Sequence, residues 1–268
     1  MLELIQITND VEFARRCDDL GGFRLWVDLE RMGKAERQAG RNTFLSVHAL
    51  EDVRRVKSVL RHSQLMVRVN PLHAGTRAEV DAVIGEGADL LMLPMFRTPG
   101  ELMAFMDIVQ GRVPVVPLLE TAKAMACLDE WIATPGLAQV YVGLNDLHIS
   151  LGHRFMFQSL ALGLVDRVAG AASALQLPFG FGGIARMDEG QLAGRDVLAE
   201  HLRLGSHCVI LSRTFHRAGE GGSFEEEVAR LRSAEAQLSL RTPSQVEQDR
   251  MRIHAIITRI AAGLEPAR

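Results

Sequence analysis

VPVVPLLETAKAMACLDEWIATPGLAQVYVGLND, residues 113–146, reads as one complete repeat of the chain. An apolar run rich in valine and leucine, VPVVPLL (113–119), meets a polar break at Glu120-Thr121. A longer stretch with helical character follows over 121–133, and a second apolar run, QVYVGL (139–144), closes the unit. Short runs without polar alternation fit strands covered on both faces, the condition of a parallel sheet. Strand, helix and strand in this order make a βαβ unit.

The same unit recurs on both sides. LELIQI (2–7), FRLWVDL (23–29), LMVRVN (65–70) and LLMLPM (90–95) precede it, and FGFGGI (179–184) and CVILS (208–212) follow, which makes eight apolar runs. Helical stretches separate them at 48–61, 76–86, 99–110, 158–175 and 187–204. Eight such repeats predict a (β/α)8 TIM barrel in the α/β class, with a C-terminal helical extension. An open doubly wound sheet is the alternative, but it places a glycine-rich phosphate turn after its first strand. Here the first strand runs into ITNDVEF without a glycine, and no G-x-x-x-x-G-K-[ST] occurs anywhere.

The pattern stops after the eighth run. Residues 1–220 are therefore expected to form the barrel and 221–268 the C-terminal helices. Ser223 with Glu226, and Ser244 with Glu247, have capping-box spacing. The second helix, 244–262, presents Val246, Met251, Ile253, Ile256, Ile257 and Ile260, more apolar surface than a free tail exposes. It either covers its own barrel or packs on, or swaps with, a neighbouring subunit.

Composition bounds the function. The 268 residues suit a single barrel with some to spare, since that fold takes roughly 250. With 47% hydrophobic and 24% charged residues the chain is globular, not disordered. Lys+Arg 30 against Asp+Glu 33 gives −3, which lacks the positive excess of a nucleic-acid binder. Cys17, Cys127 and Cys208 have neither metal-ligand nor redox spacing. The beginning MLELIQITNDVEF lacks a basic region before an apolar core, and no run approaches the roughly 18 apolar residues of a membrane span. The expectation is a cytoplasmic protein with no membrane and no nucleic-acid partner.

In a barrel, reactive groups lie at the C-terminal ends of the strands. Those ends hold Asp28-Leu29-Glu30, Arg68-Val69-Asn70, Pro94-Met95, Glu120-Thr121, Asn145-Asp146, Gly182-Gly183 and Ser212-Arg213. Glu120 and Asp146 each terminate an apolar run, and two such carboxylates suit Mg²⁺ or Mn²⁺, with water and substrate completing the shell. Otherwise Glu120 caps the next helix, with Thr121 sharing that role, and Asp146 opens a turn. Arg68 offers a bidentate fork for a carboxylate or polarised carbonyl, or serves as counter-ion to Glu120. His48, His148 and His153 are of the residue type most used as general base. The glycines of 180–183 allow close backbone approach.

PLLET (117–121) followed by YVGLNDLHISLG (141–152) resembles the metal-binding strands of the HpcH/HpaI aldolase and citrate lyase family. WVDLE (26–30), VRVN (67–70) and GADLLMLPM (87–95) fall in the family's order, so the resemblance spans about residues 23 to 213. It implies a (β/α)8 barrel that uses Mg²⁺, or Mn²⁺ or Co²⁺, to bind a 2-oxo acid or related carboxylate. Glu120 and Asp146 would then hold the metal, and Arg68 the substrate carbonyl or enolate oxygen. Pro94, Met95, Leu144, Asn145 and Asp146 would shape the substrate pocket. The resemblance also implies a homo-oligomer, trimer or hexamer, with C-terminal helices exchanged between subunits.

The chain departs from both branches of that family. The aldolases follow the acidic end of strand two with a histidine and the lyases with a further acid, where this chain has Arg31. The lyases follow Leu-Pro with lysine, where this chain has Met95. Asp28, Glu30 and His48 are thus the protein candidates for the base. The reading that follows is a metal-dependent carbon–carbon lyase working beside a pyruvate-like enolate. A citrate-lyase-like enzyme acting on a CoA thioester is the alternative, with Arg31, Lys34, Arg37 and Arg41 meeting the CoA phosphates. A non-catalytic scaffold that kept the fold is the third.

Overall fold

The computed structural model describes residues 1–33, 47–216 and 222–264. Eight parallel strands, in sequence order, close into a barrel with helices between them, and two further helices follow at the C-terminal end. Contacts group the chain into two compact bodies, Leu4–Tyr141 and Met1–Glu3 with Val142–Arg268.

In the first body, β1 (Glu3–Ile7) pairs with β2 (Phe23–Asp28), β2 with β3 (Leu65–Arg68), β3 with β4 (Leu90–Leu93), and β4 with β5 (Val115–Leu119). Every residue of β2 to β5 is buried, as unalternated apolar runs require when helices cover the outer face. The helices are α1 (Val11–Leu20), α2 (Leu50–Lys57), α3 (Thr76–Gly85), α4 (Pro99–Val109), α5 (Ala122–Ala126) and α6 (Leu128–Trp131). Asp10 caps α1 by accepting the Glu12 and Phe13 N–H groups, and Thr98 with Pro99 starts α4. The single helix expected over 121–133 is interrupted at Cys127, where φ −99° and ψ 27° leave the helical region. Asp18, at the end of α1, accepts backbone N–H groups from Arg61, His62 and Ser63 and so pins the approach to β3. Burial opposes its charge, but those donors outweigh it and hold the carboxyl below the usual aspartate range.

The second body continues from β6 (Val140–Val142) through α7 (Leu144–Ser150), α8 (Gln158–Ala161), α9 (Leu164–Ala174), β7 (Phe179–Ile184), α10 (Gly194–Arg203) and β8 (Cys208–Leu211). The helix expected over 158–175 breaks at Gly163, which adopts a left-handed conformation, φ 71°. His201 of α10 stacks flat on Phe181 of β7, with centroids 3.8 Å apart and planes 4° from parallel. Its Nδ1 lies 2.8 Å from Ser206 Oγ, and its buried Nε2 has no hydrogen-bond partner among the described residues. Burial pushes its pKa down to about 3.

The tail forms α11 (Phe224–Ser239) and α12 (Pro243–Gly263). Ser223 and Glu226 make the expected capping box. On α12 the cap is Thr242 with Gln245, not Ser244 with Glu247. Pro243, which has no N–H and a fixed φ, takes the first helical position, so the residue before it becomes the cap. α12 packs on α8 and α10 of its own chain and buries Ile253, Ile257 and Ala261, while Met251 stays 62% exposed. Each buried isoleucine contributes about 2 kcal/mol. α11 is tied to the start of the chain. Glu235 Oε1 accepts the Leu2 N–H at 2.6 Å, and Arg232 donates to the Leu2 carbonyl at 2.6 Å.

Candidate active site

In the first body the strand register brings three of the expected site residues together. Asp28 of β2 is the partner of Arg68 in β3, Arg68 of Met92 in β4, and Met92 of Val116 in β5. Parallel partners project to one face, and so does Glu120, four positions beyond Val116. Arg68 Nε and Nη2 donate to the two oxygens of Asp28, both at 2.8 Å, and Nη1 lies 3.3 Å from Glu30 Oε2. Its guanidinium carbon sits 4.9 Å from the Trp26 ring centroid. Burial alone would lower the Arg68 pKa, but the charges of Asp28, Glu30 and Glu120 outweigh it and raise it. Arg68 is therefore a cation at any pH at which the protein is folded. The counter-ion that sequence reasoning offered was Glu120, whereas the direct partners are Asp28 and Glu30.

Asp28 is held from its backbone as well. Its N–H donates to His48 Nδ1 at 3.0 Å, and Glu30 N–H donates to Asp28 Oδ1 at 3.2 Å. An Nδ1 that accepts assigns the proton of the neutral His48 ring to Nε2. The His48 carbonyl in turn accepts Arg31 Nη2 at 3.0 Å. Asn70, just beyond β3, takes the Arg31 and Met32 N–H groups on its Oδ1 at 2.9 and 3.0 Å. Its own N–H and Nδ2 donate to Glu79 Oε1, whose other oxygen lies 3.0 Å from His73 Nε2. Sequence reasoning gave Asn70 and Trp26 no role, although both stood inside the motifs VRVN and WVDLE. Lys34, Arg37 and Arg41 lie outside the described residues.

Glu120 is 2% exposed and does not cap the following helix. Thr121 does that, its Oγ1 accepting the Ala124 N–H at 3.1 Å and donating to the Phe96 carbonyl at 2.8 Å. Glu120 Oε1 instead accepts the Met95 N–H at 3.0 Å. Met95 presents that N–H from a left-handed conformation, φ 56°, next to the buried Pro94. A left-handed non-glycine residue costs of order 1 kcal/mol or more and is over-represented at functional sites. Asp28, Glu30 and Glu120 against Arg68 leave this buried group with a formal charge of −2. That is a poor receptor for an anion and a good one for a divalent cation. Among the described residues no three His, Cys, Asp or Glu side chains form a complete metal cage. A cation here would rest on few carboxylates and on water, as Mg²⁺ does.

In the second body, Leu144, Asn145 and Asp146 occupy the first turn of α7. The sequence places Asp146 at a strand end, but β6 stops at Val142 and the helix has begun by Leu144. An acidic residue in a first turn is favoured by the helix dipole. Gly182, at φ 54°, packs so close to Leu144 that a Cβ would lie 2.8 Å from its Cδ1. His148 is buried in the same helix, and Ser212 Oγ lies 2.9 Å from Thr214 Oγ1 after β8.

Three comparisons bear on this geometry. The sequence profile of the family described as HpcH/HpaI aldolase/citrate lyase matches residues 24–176. Among characterised relatives, a (3S)-malyl-CoA thioesterase of Cereibacter sphaeroides is 30% identical over 119 residues, 43% of this chain and 41% of that protein. Another from the same species is 32% identical over 102 residues, 38% of this chain and 35% of that protein. The chain thus aligns with about two fifths or less of the length of these relatives. Among solved structures, the citrate lyase beta subunit of M. tuberculosis complexed with oxaloacetate and magnesium superposes with TM-score 0.60 at 17% identity, over 87% of this chain and 96% of that one. The HpcH/HpaI aldolase of Desulfitobacterium hafniense gives 0.59 at 14%, over 90% and 94%. At these identities the likeness speaks for the barrel alone. No helix among the described residues is long and apolar enough to cross a membrane.

Proposed function

The chain belongs to the HpcH/HpaI aldolase/citrate lyase family, and from that premise we propose that it is a divalent-metal-dependent carbon–carbon lyase acting beside the enolate of a 2-oxo acid. The observation that carries the reading is the buried acidic group around a guanidinium that is always charged. We assign Glu120 as a protein ligand of the cation, Mg²⁺ by the preference of carboxylates and water. When bound, the cation would supply the Lewis acidity that stabilises a developing enolate.

The chain's own groups supply the rest. Arg68 donates two of its five N–H groups to Asp28 and pairs through Nη1 with the charge of Glu30. Its other donors meet the substrate oxygen on which negative charge develops as the enolate forms. Asp28, locked by both oxygens to Arg68, positions that guanidinium and is not the base. His48 has its one acceptor nitrogen occupied by the Asp28 N–H, so it also holds rather than abstracts. Glu30, whose Oε2 lies 3.3 Å from Arg68 Nη1, is the carboxylate assigned to take the proton from the carbon next to the keto group. Pro94 and Met95, whose N–H is already held by Glu120, would border the substrate carboxylate.

Deuterium exchange into the methyl group of pyruvate, followed by NMR with Mg²⁺ or Mn²⁺, tests this directly. Exchange is expected in the wild type, a fall of at least about 10²-fold in Glu30→Gln with pyruvate still bound, and loss of both exchange and Mn²⁺ affinity in Glu120→Ala. Absence of exchange in the wild type with every divalent ion between pH 6 and 9 would refute a pyruvate-type enolate. A second reading, action on a CoA thioester, is favoured by the malyl-CoA thioesterases among the relatives. Release of free thiol from malyl-CoA without pyruvate exchange would decide for it.

A further inference from the structure

We infer that Arg31 sets substrate specificity by taking the second carboxylate of a 2-oxo dicarboxylate, and that Asn70 positions it. This rests on the enolate chemistry proposed above and adds to it the class of acid that enters. Arg68 cannot serve a second anionic group, because Asp28 holds two of its donors and the charges of Asp28 and Glu30 already balance its own. Arg31 differs in each respect. It follows Glu30 directly, its side chain is exposed, and among the described residues it has no carboxylate partner. Its one side-chain bond is to the His48 carbonyl, and the His48 ring holds the Asp28 amide.

Arg31 therefore stands one step outward from the buried pair, on the segment that leaves β2. A ligand with its reactive end at Arg68 and an anionic far end would run from buried to exposed along this path. The position is built rather than loose. Two consecutive amides, of Arg31 and Met32, are clamped on the single Asn70 oxygen, and Asn70 is itself anchored on Glu79, whose other oxygen meets His73. A Cβ at Gly75 would come within 2.9 Å of the His73 ring, so the anchor is packed as well. The far anion is a carboxylate rather than a CoA phosphate, because a full pantetheine arm separates those phosphates from a thioester. Arg31 lies only one residue from a side chain that touches Arg68.

The test compares 2-oxoglutarate with 2-oxopentanoate, and oxaloacetate with 2-oxobutyrate, pairs that differ only in the second carboxylate. Binding is read by quenching of tryptophan fluorescence, with Trp26 beside Arg68, at saturating Mg²⁺. The wild type is expected to favour the diacid by about tenfold or more in at least one pair, the worth of a charge-assisted hydrogen bond. Arg31→Ala should collapse that ratio, Arg31→Lys should keep part of it, and Asn70→Ala should lower it while leaving the affinity for 2-oxopentanoate unchanged. A wild type that shows no preference, an Arg31→Ala variant that keeps the full ratio, or one that loses CoA-thioester affinity instead would each overturn the inference. Pyruvate exchange separates the two proposals. Exchange without diacid preference refutes only the role of Arg31, and absence of both exchange and 2-oxo acid binding refutes the enolate chemistry itself.

Discussion

Replacing His201 by glutamine should flatten the acid side of the stability profile. The ring is fully buried, stacked on Phe181, and burial lowers its pKa to about 3. In the unfolded chain the same ring titrates near 6.5. Between those two values the unfolded state holds a proton that the folded state refuses, so stability declines as pH falls. Each pH unit well inside the window costs about 1.4 kcal/mol, and the whole window of roughly 3.5 units costs about 5 kcal/mol. Between pH 7.5 and 5.0 the loss is about 2 kcal/mol, because only the upper part of the window has been crossed. Urea denaturation followed by circular dichroism at pH 7.5, 6.0 and 5.0 measures it. The wild type should lose about 2 kcal/mol more than His201→Gln over that span. The constant cost of the substitution cancels in the difference, and the other histidines contribute alike to both proteins. A second variant, His201→Phe, keeps an aromatic ring on Phe181 and should show the same flattening. If all three profiles run parallel, the folded ring takes up its proton as readily as the unfolded one and the reasoning fails.

Asp18 should act over a lower range. Its carboxyl is held below the usual aspartate pKa, so its contribution is complete above the unfolded value and is lost as pH falls through the folded one. Asp18→Ala, which strands three backbone donors, should cost about 2–4 kcal/mol at pH 7 in the same denaturation assay, with the gap to wild type narrowing in acid. Gly182→Ala should lose about 1 kcal/mol or more from its positive φ alone. It should also push Leu144 and lower pyruvate exchange, and unchanged stability and exchange would show the packing there to be slack.

The barrel was legible because a strand buried on both faces has little choice of residue. FRLWVD, LMVR and VVPLL are apolar on both sides until the strand end, where Asp28, Arg68 and Glu120 interrupt them. The identity of partners was not legible, because it depends on register between strands far apart in sequence. Arg68 lies 40 residues from Asp28, and only the pairing of β2 with β3 selects that carboxylate over Glu120. Local geometry hid two further points. The strand ending in Val142 gives way to a helix two residues later, which moves Asp146 from a strand end to a first turn. Thr121, beside Glu120, has the shorter side chain suited to reach its own helix, so it took the cap and left Glu120 to Met95.

The grip of Arg232 and Glu235 on Leu2 spans 233 residues for the Glu235 bond, which gives it a meaning during biosynthesis. A ribosome adding about 5–20 residues per second needs roughly 10–50 s to travel from the codon for Leu2 to the one that encodes Glu235. Throughout that interval the backbone of the first strand lacks the helix that fastens it. The segment around Leu2 must stay available for tens of seconds and gain this fastening only when α11 has left the exit tunnel. Chaperones that guard unpaired strands would find a long opportunity here.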